Sequence, residues 1–186
     1  MVFSMATTGV NEQPHNLSGL KFSNELVQFT LIRPYDDLKL WADLLHKIAR
    51  QCINIPFIRY SSASDEQYCF CVDRQDESGV QAILHQPPFT KADIEKVSGI
   101  GSLTLFPHKN NLQFINNILN LFSRHKFPVF SLATSISAVT INTAYTQLEL
   151  IADKIQTVYP LPQNHAPFRQ EFRLEQVFPE TSKGVR

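Results

Sequence analysis

The chain has 186 residues, 43% of them hydrophobic, enough to bury one substantial core or two small ones. Lys and Arg total 17 and Asp and Glu total 17, scattered along the chain, so no global field concentrates polyanions and charge does not favour nucleic acid as a partner. No charged region precedes an apolar segment at the N-terminus and no apolar run approaches membrane-spanning length, so the expectation is a cytoplasmic protein without membrane contact.

In chain order, residues 1–21 are rich in Thr, Asn, Gly and Ser with little periodicity and read as a flexible leader. Leu26 to Arg33 is an apolar, partly β-branched run and predicts a strand. Pro34 ends it, and Asp36 or Asp37 caps a helix with Leu38, Trp41, Leu44, Leu45 and Ile48 on one face. Ile53 to Tyr60 and Gln67 to Asp73 read as two strands joined by a turn at Ser61 to Asp65. Asp76 to His85 is a short helix with Val80, Ile83 and Leu84 inward, stopped by Pro87 and Pro88, and Ile94 to Val97 is a closing strand. The order then recurs: strand Gly101 to Phe106, helix Asn110 to His125 with Leu112, Ile115, Ile118, Leu119 and Phe122 inward, strands Phe127 to Ala133 and Ile136 to Asn142, and helix Thr146 to Val158. After the segment containing Pro160, Pro162 and Pro167, Phe172 to Phe178 is the candidate for a last strand.

The recurrence has a fixed offset. Thr30 and Thr104 stand 74 residues apart, and the same offset relates Leu38 to Leu112, Leu45 to Leu119, Ile48 to Phe122, Ile53 to Phe127 and Ile55 to Val129. The expected fold is α+β, a ferredoxin-like βαββαβ unit used twice in tandem, with antiparallel sheets, eight or nearly eight strands and four helices on one side. The expected divisions are a leader 1–21, a first unit 22–97, a second unit 98–180 and a tail 181–186.

Few residues suggest chemistry. Cys69 and Cys71 flank Phe70 in an extended run and point to one face, where a mutual disulfide would be strained; with Cys52 they read as buried structural thiols. The histidines share no metal-ligand spacing with one another or with cysteine, and no nucleophile elbow, phosphate loop, dinucleotide fingerprint or zinc-protease motif is present. The expectation is a non-enzyme without metal or cofactor. Trp41 and Phe114 read as core.

Three stretches carry a family resemblance: Ile53-Asn54-Ile55 at the entrance of a strand, Ile94 to Gly101 at the start of the second unit, and Ala133 to Val139 as a Thr- and Ser-rich hairpin. They are similar to a tandem pair of ACT domains, most of all the regulatory region of aspartate kinases, over about Leu26 to Tyr159. The resemblance implies a regulatory or sensor protein that binds a small amino acid where first loops meet second strands and responds by a change in association with a partner enzyme or with another copy of itself; a homodimer is expected because such units leave open sheet edges. The first loops read Arg33-Pro34-Tyr35-Asp36-Asp37 and Pro107-His108-Lys109-Asn110-Asn111, without the glycine that lets backbone amides approach a carboxylate. Asp36 and Asp37 would repel a carboxylate, so the ligand is expected in the second unit, at His108, Lys109, Asn110 and Asn111, with Asn54, Ile55 and Val129 from the second strands. Asn54 has a plainer reading, an amide that satisfies a neighbouring loop. The missing glycines also support the alternative of an interaction or dimerisation module without ligand. An RNA-binding module of the same topology, with Phe29, Tyr68 and Phe70 as its platform, is set lower: Cys69 stands where glycine or alanine is expected, and no basic residue leads the strand.

Overall fold

The computed structural model describes residues 16–32, 38–61, 67–91 and 93–169. Its centre is one strand. β5 (Asp93–Phe106) runs for 14 residues, where two separate strands were expected. Along one of its edges lie β1 (Gly19–Phe22) and β2 (Leu26–Ile32), end to end, with Phe22 opposite Leu103 and Leu26 opposite Ile100. Along the other edge β7 (Val139–Ala144) pairs with Ile100 to Leu105. β4 (Gln67–Asp73) continues the sheet beyond β2, and β3 (Phe57–Ser61) and β6 (Ser131–Thr134) form its margins. All these pairs are antiparallel, in the order β3-β4-β2-β5-β7-β6 with β1 beside β5, seven strands among the described residues.

A strand of this length must keep its apolar side toward the helices throughout, and strict alternation would not do so. Ile94 packs with the first pair of helices and Leu103 and Leu105 with the second, although 94 is even and 103 and 105 are odd. The register explains this: Gln28 faces Val97 while Leu26 faces Ile100, so β5 carries one residue more than β2 over that span. Gly99 sits in this bulge at φ 72, a left-handed conformation that costs glycine nothing.

The helices follow from spacing. α1 (Leu38–Arg50) buries Leu40, Trp41, Leu44 and Ile48, and α2 (Glu77–Leu84) buries Val80, Ile83 and Leu84, both against Val27, Phe29 and Leu31 of β2 and Tyr68, Phe70 and Val72 of β4. Trp41 stacks on Tyr68 at 4.6 Å, as its core reading required. α3 (Leu112–His125) and α4 (Leu148–Val158) cover Leu103, Leu105, Val139 and Ile141. Leu112, expected inward, is 79% exposed, and the buried stripe of α3 is Phe114, Ile118 and Phe122. The helix starts two residues later than periodicity placed it, because Asn110 is left-handed at φ 54 and Asn111 serves as the cap. Lys126, at φ 56, ends α3 in the position glycine usually fills, its N–H donating to the carbonyls of Phe122 and Ser123.

The margins are shorter than expected for a local reason. Pro56 and Pro128 have no N–H to give to a ladder and hold the residues before them away from helix, so β3 starts at Phe57 and β6 at Ser131. Leu17, Leu20 and Phe22 are buried in the α3–α4 core, so the part of the expected leader from Leu17 onward is strand and core. Its polar composition hid two anchoring leucines. Residues 1–15, the loop holding Asp36 and Asp37 and the candidate strand Phe172 to Phe178 lie outside the described residues.

Gly101 faces α4 so closely that a Cβ there would stand 2.5 Å from the Leu148 side chain and 3.0 Å from the Tyr145 backbone. Gly101→Ala is expected to force α4 outward and cost about 1–3 kcal/mol, as overpacking does. Gly99→Ala meets no neighbour within 4 Å and is expected to cost only the left-handed backbone penalty, roughly 1–2 kcal/mol. Urea denaturation followed by circular dichroism compares the two; an unchanged midpoint for Gly101→Ala contradicts the close approach of α4.

Candidate functional site

The loop between β5 and α3 is organised around His108, which is 3% exposed. Its backbone N–H donates to the Ser137 carbonyl at 3.0 Å, tying the loop to the β6–β7 hairpin. On the ring, Nδ1 accepts from the Asn110 N–H at 3.1 Å, so the ring hydrogen belongs on Nε2, which lies 2.6 Å from the Ser135 carbonyl and donates to it. The hairpin tip is closed by its own bonds: the Ser135 N–H donates to the Ala138 carbonyl at 2.8 Å, and the Ala138 N–H donates to Ser135 Oγ at 3.2 Å.

Between His108 and the helix, Lys109 and Asn110 both take left-handed backbone, at φ 50 and 54. A loop without glycine therefore reaches a conformation usually left to glycine, and asparagine tolerates it better than most residues. Lys109 is exposed beside the first turn of α3. Asn111 Oδ1 accepts from the Phe114 N–H at 3.1 Å, so one of the amides open to an anion is already satisfied by the chain.

The other site residues are elsewhere. Asn54 and Ile55 precede β3, Ile55 packing on the α1–α2 core. Val129, 43% exposed, precedes β6. Since β6 runs antiparallel to β7, and β7 to β5, the start of β6 lies level with Ser102, at the end of the β6–β7 hairpin opposite the β5–α3 loop. The structure thus brings His108, Lys109, Asn110 and Asn111 together and leaves Val129 away from them. The two strands that lead into the first loops end at opposite ends of β5: Ile32, the last residue of β2, stands opposite Asp93, whereas the second loop leaves β5 at Phe106.

A second cluster was not anticipated. On the face away from the helices the sheet curls so strongly that Asn142 Nδ2 on β7 lies 3.6 Å from Cys71 Sγ on β4, although β2 and β5 stand between those two strands. Leu26, Phe57, Cys69, Cys71 and Ile100 are buried there, with Ala133 of β6 packed against them. Gln28 Oε1 lies 4.0 Å from Cys71 Sγ. Asn142 is fully buried, and its Oδ1, like Ser131 Oγ opposite it in the ladder, has no partner among the described residues. Alternation in β7, with Val139 and Ile141 apolar and Thr140 and Asn142 polar, reads as a strand with one wet face; only the curl buries Asn142.

Burial pushes the Cys71 thiol up to about 12, with the neighbouring Cys69 adding to the rise. Cys69 is also raised by burial, against the opposing pull of the Thr30 hydrogen bond and the Arg59 charge. Cys52 departs from the expectation of burial: it is exposed, at φ 55 just after α1. Among the described residues no group of three His, Cys, Asp or Glu is placed to hold a metal ion, and no helix is long and apolar enough to cross a membrane.

No protein-family model matches the sequence, and no curated protein does. Solved structures do. The ligand-free regulatory subunit of aspartate kinase from Thermus thermophilus superposes with a TM-score of 0.67 at 13% identity, covering 77% of this chain and 99% of that one. The corresponding subunit from Thermus flavus gives 0.68 at 13% identity over 77% and 99%. Escherichia coli aspartokinase III, solved in complex with lysine and aspartate, gives 0.59 at 13% identity over 78% of this chain and 34% of that one. The architecture is that of ferredoxin-like α/β proteins with a curled antiparallel sheet. Within that class the chain has the ACT-type fold of aspartate kinase regulatory subunits.

Three outcomes follow from the buried groups. A thiol reagent is expected to label Cys52 in the native protein and Cys69 and Cys71 only after unfolding; native labelling of all three contradicts the curl. Stability should fall as pH rises from 9.0 toward about 12, because the unfolded Cys71 thiol has by then lost its proton and the folded one has not. Urea midpoints across that range, with Cys71→Ala showing a shallower fall than the parent, check the assignment. His108→Ala is expected to free the hairpin tip at a cost of about 1–3 kcal/mol, read as faster amide exchange at Ser135 and Ala138, whose N–H groups are bonded within the tip.

Proposed function

We propose that this chain is a non-catalytic regulatory protein of two ACT-like units that senses a small amino acid and passes the signal on through association with a second copy of itself or with a partner enzyme. The support for two units is the repeated element order, β2-α1-β3-β4-α2-β5 and then β5-α3-β6-β7-α4, with β5 serving both. In this reading β1 is the fourth strand of the second unit, so the first unit is inserted into the second, and the division falls at the Gly99 bulge. The fold shared with aspartate kinase regulatory subunits, and the amino acids present in the Escherichia coli enzyme's structure, favour an amino acid as the ligand class.

The observation that carries the reading is the β5–α3 loop. His108 fixes its shape from within, Lys109 is left exposed at the start of α3, and the helix dipole adds to its positive charge. A carboxylate is received there, in the second unit. Val129 then contributes only from another copy of the chain, since the hairpin keeps it at the far end of its own unit, and this favours a homodimer as the binding form; Asn54 and Ile55 are offered by the first unit, just before β3.

The alternative of an interaction module without ligand has one observation in its favour. The Asn111 cap occupies the Phe114 amide, and Leu112 and Ile136, 79% and 91% exposed, lie beside the loop as apolar docking points.

Thermal unfolding with a panel of amino acids separates the two. A ligand at a hundred times its dissociation constant stabilises by about 2.7 kcal/mol, and Lys109→Ala is expected to lose that gain while Asp37→Ala keeps it. If no amino acid stabilises the protein, and Leu112→Asp with Ile136→Asp abolishes a dimer seen by light scattering, the interaction module is the correct reading.

A further inference from the structure

The helix side of the second half carries a cleft of about 240 Å³ between α3 and α4. Phe114 and Asn117 in the first half of α3 meet Tyr159 just past the end of α4, the rings edge-on at 5.1 Å and Asn117 Nδ2 donating to the phenol oxygen at 2.9 Å. At the other end, Arg124 and His125 of α3 line the cleft with Lys154 of α4. The helices therefore run antiparallel, and cations from both converge on one opening.

Three features set this cleft apart from an ordinary charged surface. Its lining contains Arg124, Lys154 and the His125 imidazole and no Asp or Glu. Neither Arg124 nor Lys154 has an ion pair among the described residues, whereas Arg74, Lys96 and Arg169 each reach a glutamate. Finally, the lining is mixed: Leu121 and Val158 offer apolar contact, and Asn120 and Thr157 offer hydrogen bonds beside the charges. The His125 ring is also held in place, stacked on Phe127 at 5.4 Å. A concave site with a few convergent polar groups and an apolar wall is how small-molecule sites are built, and a guanidinium beside an ammonium suits a doubly charged oxygen anion.

We infer that the α3–α4 cleft binds a small organic dianion, a dicarboxylate or a phosphate monoester, with its charge between Arg124, His125 and Lys154 and its carbon skeleton against Leu121 and Val158. This site is separate from the β5–α3 loop and does not depend on amino-acid binding there.

The experiment is a titration of the full chain, followed by amide NMR, with succinate, glycerol 3-phosphate and inorganic phosphate, each against sodium chloride at matched ionic strength. The expected result is saturable shifts confined to the lining of α3 and α4 for an organic probe, with inorganic phosphate weaker because it lacks the carbon skeleton. Tighter binding of succinate identifies a dicarboxylate site, and tighter binding of glycerol 3-phosphate a phosphate-ester site. Arg124→Gln and Lys154→Gln should each weaken that binding about tenfold, equivalent to 1.4 kcal/mol, with the circular dichroism spectrum unchanged. Lys109→Ala should leave it intact, so a failure of the amino-acid reading and a failure of this one are told apart. Shifts that sodium chloride reproduces, inorganic phosphate binding as tightly as the organic probes, or variants that bind like the parent each overturn the proposal.

Discussion

Strand β5 carries two edges of pairing and two helix layers, and it does so through one added residue at Gly99. Without the bulge, a strand that aims Ile94 at α1 and α2 would aim Leu103 and Leu105 at the opposite face, and α3 and α4 would have no apolar surface to cover. The left-handed backbone at Gly99 resets the alternation, and Gly101 two residues later leaves the space that α4 needs. The continuous sheet, the common side taken by all four helices and the place of β1 depend on those few residues.

The same continuity explains the curl. Among the described residues six strands twist around the long β5 and bring β4 and β7 together on the uncovered face, where two thiols and the amide of Asn142 meet. A flat sheet would leave those groups in water. In the curled one they are enclosed with Leu26, Phe57 and Ile100, and polar side chains that alternation assigns to solvent become the inner surface between the two margins.

At the loop that follows β5, local chemistry stands in for glycine. His108 uses both ring nitrogens and its backbone N–H to brace the turn, and this bracing holds Lys109 and Asn110 in left-handed backbone. A glycine loop gains access to an anion by lacking a side chain. This one keeps its shape through a buried ring, and the capping asparagine leaves fewer amides open.

What the sequence determined by itself was the kind and order of the elements. Apolar residues at helical spacing in α1, α2 and α4 and alternation in β2 and β4 act through contacts close in the chain, and proline and asparagine mark their own positions. What only the tertiary structure decided was which elements share a strand, which segment completes the sheet and which polar groups are buried. Leu17 and Leu20 are two leucines in a polar stretch until β5 offers them an edge. Asn142 is a wet-face residue until the sheet curls, and Val129 is a site neighbour of His108 until β6 is seen to begin at the other end of β7. Each of those outcomes is set by pairing between residues far apart in the chain, and a local pattern carries no information about the partner that a strand will find.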